Sequence, residues 1–291
     1  MIVIDKISDV RNIIKEQKLS GKKIGLVPTM GYLHEGHLSL VRIAKNHSDF
    51  VAVSIFVNPI QFGPNEDFDR YPRDLERDLK LLEKEGCDLV FAPSVEEMYP
   101  SELLTTVNVD KITDKLCGAF RPGHFKGVTT VVAKLFNIFT PDIAVFGQKD
   151  AQQVAVIKKM VEDLNFPVEI IKAPIVREVD GLAMSSRNVY LNPEERKAAL
   201  ILSKSLKEAE KLLLNGEKNA NTIIKKVNEV LNSEPLCKVQ YVSCVHPDTL
   251  EDLTYIKDKA LIAIACFIGT TRLIDNILWE EKYNAKVYDE I

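Results

Sequence analysis

Apolar residues recur along the chain in two rhythms, short continuous runs and stripes at helical spacing. Ile24, Leu26 and Val27 form a run suited to a buried strand, and Leu38, Leu40, Val41 and Ala44 follow at roughly helical spacing. The alternation repeats: Phe50 to Val57, Asp88 to Pro93, Ile143 to Phe146 and Val168 to Val176 read as strands, the last interrupted by Pro174. Helical patterns cover Ser8 to Gln17, Arg73 to Glu85, Gly127 to Phe139 and Ala151 to Leu164. Strands alternating with helices predict an α/β fold, a parallel sheet built from right-handed βαβ units.

After Val176 the texture changes. Pro193 to Asn215 reads as one long charged helix whose Asn192-Pro193 start supplies a cap and first turn, and Val239 to Val245, Ala260 to Phe267 and Arg272 to Leu278 read as strands. This pattern predicts a parallel-sheet domain over residues 1–177 and a smaller α+β domain, with an antiparallel sheet, over 178–291. No internal repeat is evident.

Composition narrows the function classes. With 46% hydrophobic and 27% charged residues in a chain of 291, the protein fits a globular class with a real core. Lys and Arg number 38 against 42 Asp and Glu, without long runs of like charge, so nothing resembles a nucleic-acid-binding face. A small anionic ligand at a local positive site fits better. Met1 to Arg11 mixes Asp5, Lys6 and Asp9 into its apolar residues and cannot be a signal h-region; Ala260 to Ile268 is too short to span a bilayer. A cytoplasmic protein without membrane partners is expected. Cys87, Cys117, Cys237, Cys244 and Cys266 form no CxxC pair and are expected as buried free thiols.

In parallel α/β sheets ligands gather at the carboxyl ends of the strands. Those ends carry Met30 to His37, Asn58 to Gln61, Gly147 to Asp150 and Val176-Arg177. The first is read as a glycine turn leading into a helix. If that helix begins near Leu33, His34 and His37 lie on one side of its first turn, where free N–H groups and a partial positive charge favour phosphate oxygens. Two imidazoles there can donate hydrogen bonds as charge builds during substitution; a pair of capping or surface histidines is the alternative. His34-Glu35-Gly36-His37 lacks the four-residue spacing of a zinc protease motif, and neither a Walker A sequence nor GxGxxG occurs.

Other candidates have the same double reading. Lys149 can place a charge on phosphate while Asp150 reaches a ribose hydroxyl, or the two form a solvated pair. Met184-Ser185-Ser186-Arg187 supplies two hydroxyls and a guanidinium, a phosphate-clamping set for a mobile loop or an ordinary linker. Asn58, Gln61 and Gln153 suit hydroxyls and carboxylates without adding charge, and Arg121 to Lys126 is a basic loop able to steer an anion or to serve as plain surface.

Taken together, the histidine turn and the Met184 to Asn188 loop resemble the two signature motifs of the class I synthetase-like nucleotidyltransferases. More narrowly, PTMGYLHEGH, SIFVNPIQF, RPGHFKGV, VFGQKDAQQ, DGLAMSSRN and GTTRLIDN resemble, in order and across nearly the whole chain, the pantothenate synthetase family. The resemblance implies a Rossmann-like first domain, a carboxyl-terminal lid domain, and an ATP- and Mg2+-dependent ligase that joins pantoate to β-alanine through a pantoyl adenylate, releasing pyrophosphate and AMP. It implies ATP-binding residues Met30, Gly31, Tyr32, Leu33, His34, Glu35, Gly36, His37, Gly147, Gln148, Lys149, Asp150, Val176, Met184, Ser185, Ser186 and Arg187. His37 matches the family's proton donor; His34, Lys149, Ser185 and Arg187 join it as the expected catalytic group. Gln61 and Gln153 match the residues that hold pantoate, with Gln61 also near β-alanine, Asn58 beside them and Val132 and Phe146 against the pantoate methyl groups. A homodimer is implied. The sequence leaves the metal ligands open and shows no dedicated base for the amine. Gln148 departs from the glutamate common among relatives. A different nucleotidyltransferase and a catalytically silent nucleotide-binding scaffold are the competing readings; the glutamines disfavour the first, the joint presence of histidines, lysine and serine-arginine loop the second.

Overall fold

The computed structural model describes residues 1–64 and 66–281; residues 282–291, the end of the second predicted domain, lie outside the described residues. Six strands, β1 (Ile2–Ile4), β2 (Ile24–Thr29), β3 (Phe50–Ile55), β4 (Leu89–Phe91), β5 (Ile143–Gly147) and β6 (Glu169–Ala173), form one sheet in the order β1-β4-β3-β2-β5-β6. Every neighbouring pair is parallel. From β2 the chain winds outward through β3 to β4, then returns to lay β5 on the other side of β2. The direction of winding therefore reverses between β2 and β5, where open α/β sheets form their binding crevice.

Aspartates set the strand starts. Asp142 Oδ2 accepts from Ile24 N–H at 2.7 Å, Asp88 Oδ2 from Val51 N–H at 2.8 Å and Asp49 Oδ2 from Lys23 N–H at 2.9 Å. Each carboxylate takes a donor that the ladder would otherwise leave unpaired. The helices Glu35–His47 and Leu75–Glu85 turn Leu38, Val41, Ala44 and Leu82 onto Val27, Val51, Val53 and Val145 of the sheet. The strand β1 escapes the sequence pattern because it is a three-residue edge strand with Ile2 and Val3 each 47% exposed, so no buried run marks it.

A second sheet is antiparallel, β7 (Cys237–Val245), β8 (Lys259–Ile268) and β9 (Thr271–Glu280), paired in that order. Leu202, Leu206, Leu213, Ile223, Val227 and Leu231 bury against Ile262, Ile264 and Leu273 of this sheet. The helix predicted over Pro193 to Asn215 is observed as two, Pro193–Ala198 and Leu200–Leu214. Leu202 N–H donates to Ala199 O, a tighter i to i+3 bond that interrupts the α-helical ladder at Ala199. Helix Ala220–Leu231, absent from the sequence reading, is capped by Asn219.

The chain divides into two compact units. One comprises Met1–Asp114, Gly118–Gln148 and Val156–Val176; the other comprises Lys115–Cys117, Lys149–Ala155 and the chain from Arg177 onward. All five cysteines are free thiols, with Cys237 half-buried and the other four buried. Among the described residues no helix is long and apolar enough to cross a membrane.

Leu82 is fully buried at the centre of the cluster beneath β2 and β3. Leu82→Ala is expected to lower unfolding free energy by about 2–5 kcal/mol in chemical denaturation, the range for an aliphatic deletion that leaves a cavity; a loss below about 1 kcal/mol would mean this helix does not anchor the sheet.

Candidate active site

Pro28 opens the site. β2 pairs with β3 as far as Thr29, but its pairs with β5 cover only Gly25 and Leu26. Proline has no N–H to continue a ladder, so a proline in this central strand falls where the strand parts from one neighbour. Beyond it, Thr29 Oγ1 donates to Ser54 O at 2.8 Å and accepts from Gly31 N–H at 3.2 Å.

The turn then enters the left-handed region at two successive residues, Gly31 with φ +80° and Tyr32 with φ +48°. Glycine takes this conformation freely; tyrosine does so at a cost. Asp78 offsets that cost. Its Oδ2 accepts from Tyr32 N–H and its Oδ1 from Leu33 N–H, both at 2.7 Å, and its side chain is fully buried. A Cβ on Gly31 would stand 2.9 Å from Ile55 Cγ2 and 3.1 Å from Asp78 Oδ2, so the close fit also requires glycine. Burial pushes the Asp78 carboxyl above its ordinary value, against the opposing pull of the two N–H donors. Nothing in the sequence singles Asp78 out, since it sits among Glu76, Arg77 and Lys80 in what looks like a solvated helix face.

Leu33 is fully buried, and the chain enters helix Glu35–His47 with His34 as its cap. His34 Nδ1 accepts from Gly36 N–H at 3.2 Å, and His37 Nδ1 accepts from His34 N–H at 3.3 Å. The ring centroids are 4.1 Å apart. The two histidines are therefore a capping pair, and capping fixes their chemistry. With Nδ1 an acceptor, a neutral ring carries its proton on Nε2, so both rings are set as Nε2–H donors at a helix N-terminus. Glu35, in the same stretch, is paired through its carboxylate with Arg42.

Beside this turn, Gln61 ends the short 3-10 turn Pro59–Gln61 that follows β3. Its Nε2 lies 3.1 Å from Met30 Sδ, and its Oε1 accepts from Asn58 Nδ2 at 3.0 Å. Asn58 is held in turn by Tyr99 Oη, which donates to its Oδ1 at 2.8 Å. Met30, Asn58 and Gln61 are thus brought together. Gly147 and Gln148 stand at the end of β5, next to β2 in the sheet; Phe146 and Val132 are buried, and Val176 is half-buried beyond β6.

The remaining candidates belong to the second unit. Lys149 Nζ is 3.9 Å from Asp150 Oδ2, Gln153 is half-buried, and Lys149 O accepts from Asn276 Nδ2 at 3.0 Å. Ser185 caps the turn Ser186–Tyr190, its Oγ accepting from Arg187 N–H at 3.2 Å. The segment leading to this loop is cross-braced rather than a bare linker. Arg177 pairs with both oxygens of buried Asp275, at 2.7 and 2.9 Å, and donates to Gly181 O; Asn188 Nδ2 donates to Glu178 Oε1, and Arg196 binds Glu178 and Asp180. Asp275 and Asn276 lie in the late GTTRLIDN stretch, and each braces a different candidate segment. Their motif is visible in sequence, but their roles are not.

A doubly wound parallel sheet with an imidazole-capped helix start at its switch point defines a Rossmann-like protein. The comparisons are more specific. The family model described as pantoate-beta-alanine ligase matches residues 2–278. The chain is 98% identical over 281 residues to a pantothenate synthetase of Thermoanaerobacter sp. (strain X514), covering 97% of this chain and 99% of that protein. It is 64% identical to the pantothenate synthetase of Acetivibrio thermocellus, covering 96% and 100%. Among solved structures, pantothenate synthetase from Thermus thermophilus superposes with a TM-score of 0.91 at 46% identity, covering 95% of this chain and 99% of that one. Pantoate-beta-alanine ligase from Francisella tularensis, complexed with beta-gamma ATP and beta-alanine, gives 0.78 at 36% identity, covering 96% and 97%. The chain belongs to the pantoate-beta-alanine ligase family.

Asp78→Ala strands two buried N–H donors and is expected to cost about 2–4 kcal/mol of stability by denaturant titration; a wild-type midpoint would show that the turn does not depend on it. The sign of the pH effect follows from the raised carboxyl. Folded Asp78 holds its proton more tightly than the unfolded chain, so its contribution to stability falls as pH rises from the ordinary aspartate value of about 3.9 through the raised folded value. Asp78→Asn is expected to flatten that part of the stability profile.

Proposed function

We propose that the protein condenses pantoate with β-alanine at the expense of ATP, through a pantoyl adenylate. In the first step a pantoate carboxylate oxygen bonds to the α-phosphorus, the bond to the bridging oxygen breaks, and pyrophosphate leaves. In the second the neutral β-alanine amine forms a bond to the acyl carbon, the acyl C–O bond breaks so that AMP leaves with that oxygen, and the nitrogen gives up a proton to solvent. The observation that carries this reading is the pair of Nδ1-accepting histidines at a helix start, in a chain matched by the family model over residues 2–278.

Attack of a carboxylate on a polyphosphate brings like charges together, so the main barrier is electrostatic. His34 and His37 supply Nε2–H donors, with His37 donating a hydrogen bond to the phosphate oxygen on which charge develops. Lys149 and Arg187 supply fixed positive charge, and Ser185 and Ser186 supply hydroxyls. The backbone of Met30 to His37, with Gly147, Gln148, Asp150, Val176 and Met184, completes the ATP-binding set. Gln61, Asn58 and Gln153 hold pantoate through uncharged donors and acceptors, and Val132 and Phe146 face its methyl groups. Alignment of the reactants contributes several further kcal/mol, on the order of 5 or more.

Magnesium accompanies ATP in this reading. The triphosphate oxygens are hard donors of the kind magnesium takes. The reading extends to a cytoplasmic homodimer, which rests on family likeness; sedimentation of the purified protein at a single protomer mass would remove that part.

Pyrophosphate is expected to appear only when pantoate and ATP are both present, before β-alanine is added; ADP and orthophosphate instead would end the adenylate mechanism. His37→Ala and Lys149→Ala are each expected to keep the fold and to lower single-turnover adenylation by roughly 100- to 1,000-fold, the usual effect of deleting one preorganised donor. Wild-type rates in either variant would remove that residue from the catalytic group.

A further inference from the structure

The basic loop Arg121 to Lys126 has a different use from steering an anion. Arg121 is engaged with Glu66, Nε to Oε1 and Nη2 to Oε2, both at 2.6 Å, and its side chain is only 14% exposed. Burial pushes the Glu66 carboxyl up, and the hydrogen bonds and charge of Arg121 outweigh it, so Glu66 sits below the ordinary glutamate value and stays an anion at neutral pH. The remaining arm of the guanidinium, Nη1, lies 3.0 Å from His124 Nε2. On the other side of the ring, His124 Nδ1 lies 2.8 Å from the backbone carbonyl oxygen of Gln61.

The tautomer follows from the partners. A guanidinium only donates and a carbonyl only accepts, so Nε2 must accept from Arg121 and Nδ1–H must donate to Gln61 O. His124 is a neutral imidazole with one defined orientation. Phe125 packs edge-on against it, the ring centroids 4.9 Å apart.

The same segment presses on Gln61 a second time. A Cβ on Gly127 would stand 2.4 Å from Ile60 O and 2.6 Å from Gln61 Cα, a separation that only glycine permits, and Gly127 O accepts from Asn58 Nδ2 at 3.2 Å. The Pro59–Gln61 turn is thereby fixed at its last carbonyl by the histidine and along its backbone by the helix His124–Phe139.

We propose that His124, oriented by the Glu66–Arg121 pair, is the positioning residue for Gln61 and so sets affinity for the acid substrate. The inference rests on the reading of Gln61 as the pantoate residue. His124 acts through the Gln61 main chain and touches no reacting atom. Removing it leaves Gln61 present with its carbonyl unheld and its turn less tightly fixed, which weakens pantoate binding and leaves ATP binding unchanged.

The test is a KM split in four variants of the full chain, each checked for a cooperative thermal transition. Gln61→Ala is the reference and raises the KM for pantoate. His124→Phe keeps the ring packing and deletes both nitrogens; it is expected to raise the pantoate KM roughly 10-fold, the scale of one lost positioning hydrogen bond, with the ATP KM within about twofold. His124→Gln restores most of the affinity, because its amide oxygen accepts from Arg121 while its N–H donates to Gln61 O. Glu66→Gln, remote from the ring packing, shifts pantoate KM in the same direction by a smaller factor. If Gln61→Ala leaves the pantoate KM unchanged, the underlying reading of Gln61 fails and the positioning role falls with it. If Gln61→Ala raises it while His124→Phe and Glu66→Gln do not, or if His124→Phe raises both KM values alike and His124→Gln fails to rescue, the positioning role alone is overturned.

Discussion

A buried carboxylate receiving two backbone N–H groups is the interaction on which the rest of the candidate site depends. Asp78 closes on Tyr32 and Leu33 where the chain leaves β2 in a left-handed conformation, and that conformation aims the following residues into a helix rather than onward along the sheet. The bury-and-bond arrangement is costly in isolation, because a desolvated carboxylate destabilises the fold unless its acceptors are used. Here both oxygens are used. The result is a turn held tightly enough that Leu33 is buried, His34 caps the helix and His37 lies one turn on, with each ring's tautomer set by backbone donors.

The chemistry then draws on what the turn presents. Substitution at phosphorus by a carboxylate is opposed by charge, and it is favoured by donors already oriented before the charge develops. A helix N-terminus and two Nε2–H groups meet that requirement without moving. Gln61, held beside Met30 through Asn58, Tyr99, His124 and Gly127, follows the same principle: a neutral amide is made rigid by its neighbours.

The alternation of β-branched runs with helical stripes made the parallel sheet legible from sequence, because each βαβ unit is patterned locally; the antiparallel strands after Val239 were legible for the same reason. The histidine turn was legible as chemistry, since both imidazoles lie three residues apart in one segment, but the residues alone could not choose between capping and phosphate contact. The structure shows the capping, and capping leaves each neutral ring with its proton on Nε2. What stayed hidden depends on partners distant in sequence. Asp78 looks like one charge among several until Tyr32 and Leu33, more than forty residues earlier, are seen against it. Arg121 looks like a free cation until Glu66 is found on it. Asp275 and Asn276 belong to a recognisable motif whose work, bracing Arg177 and the Lys149 backbone, no local pattern encodes. The break at Ala199 is similarly silent, because alanine favours helix and only the observed i to i+3 bond reveals the interruption.

The adenylate mechanism turns on the pantoate carboxylate itself bonding to the α-phosphorus of ATP. Its most direct measurement is oxygen transfer: pantoate labelled with 18O in both carboxylate oxygens is turned over with ATP and β-alanine, and the phosphorus-containing products are analysed by mass spectrometry. Attack by the carboxylate oxygen places one 18O atom in each AMP and none in pyrophosphate. Unlabelled AMP, or label in orthophosphate, would contradict it.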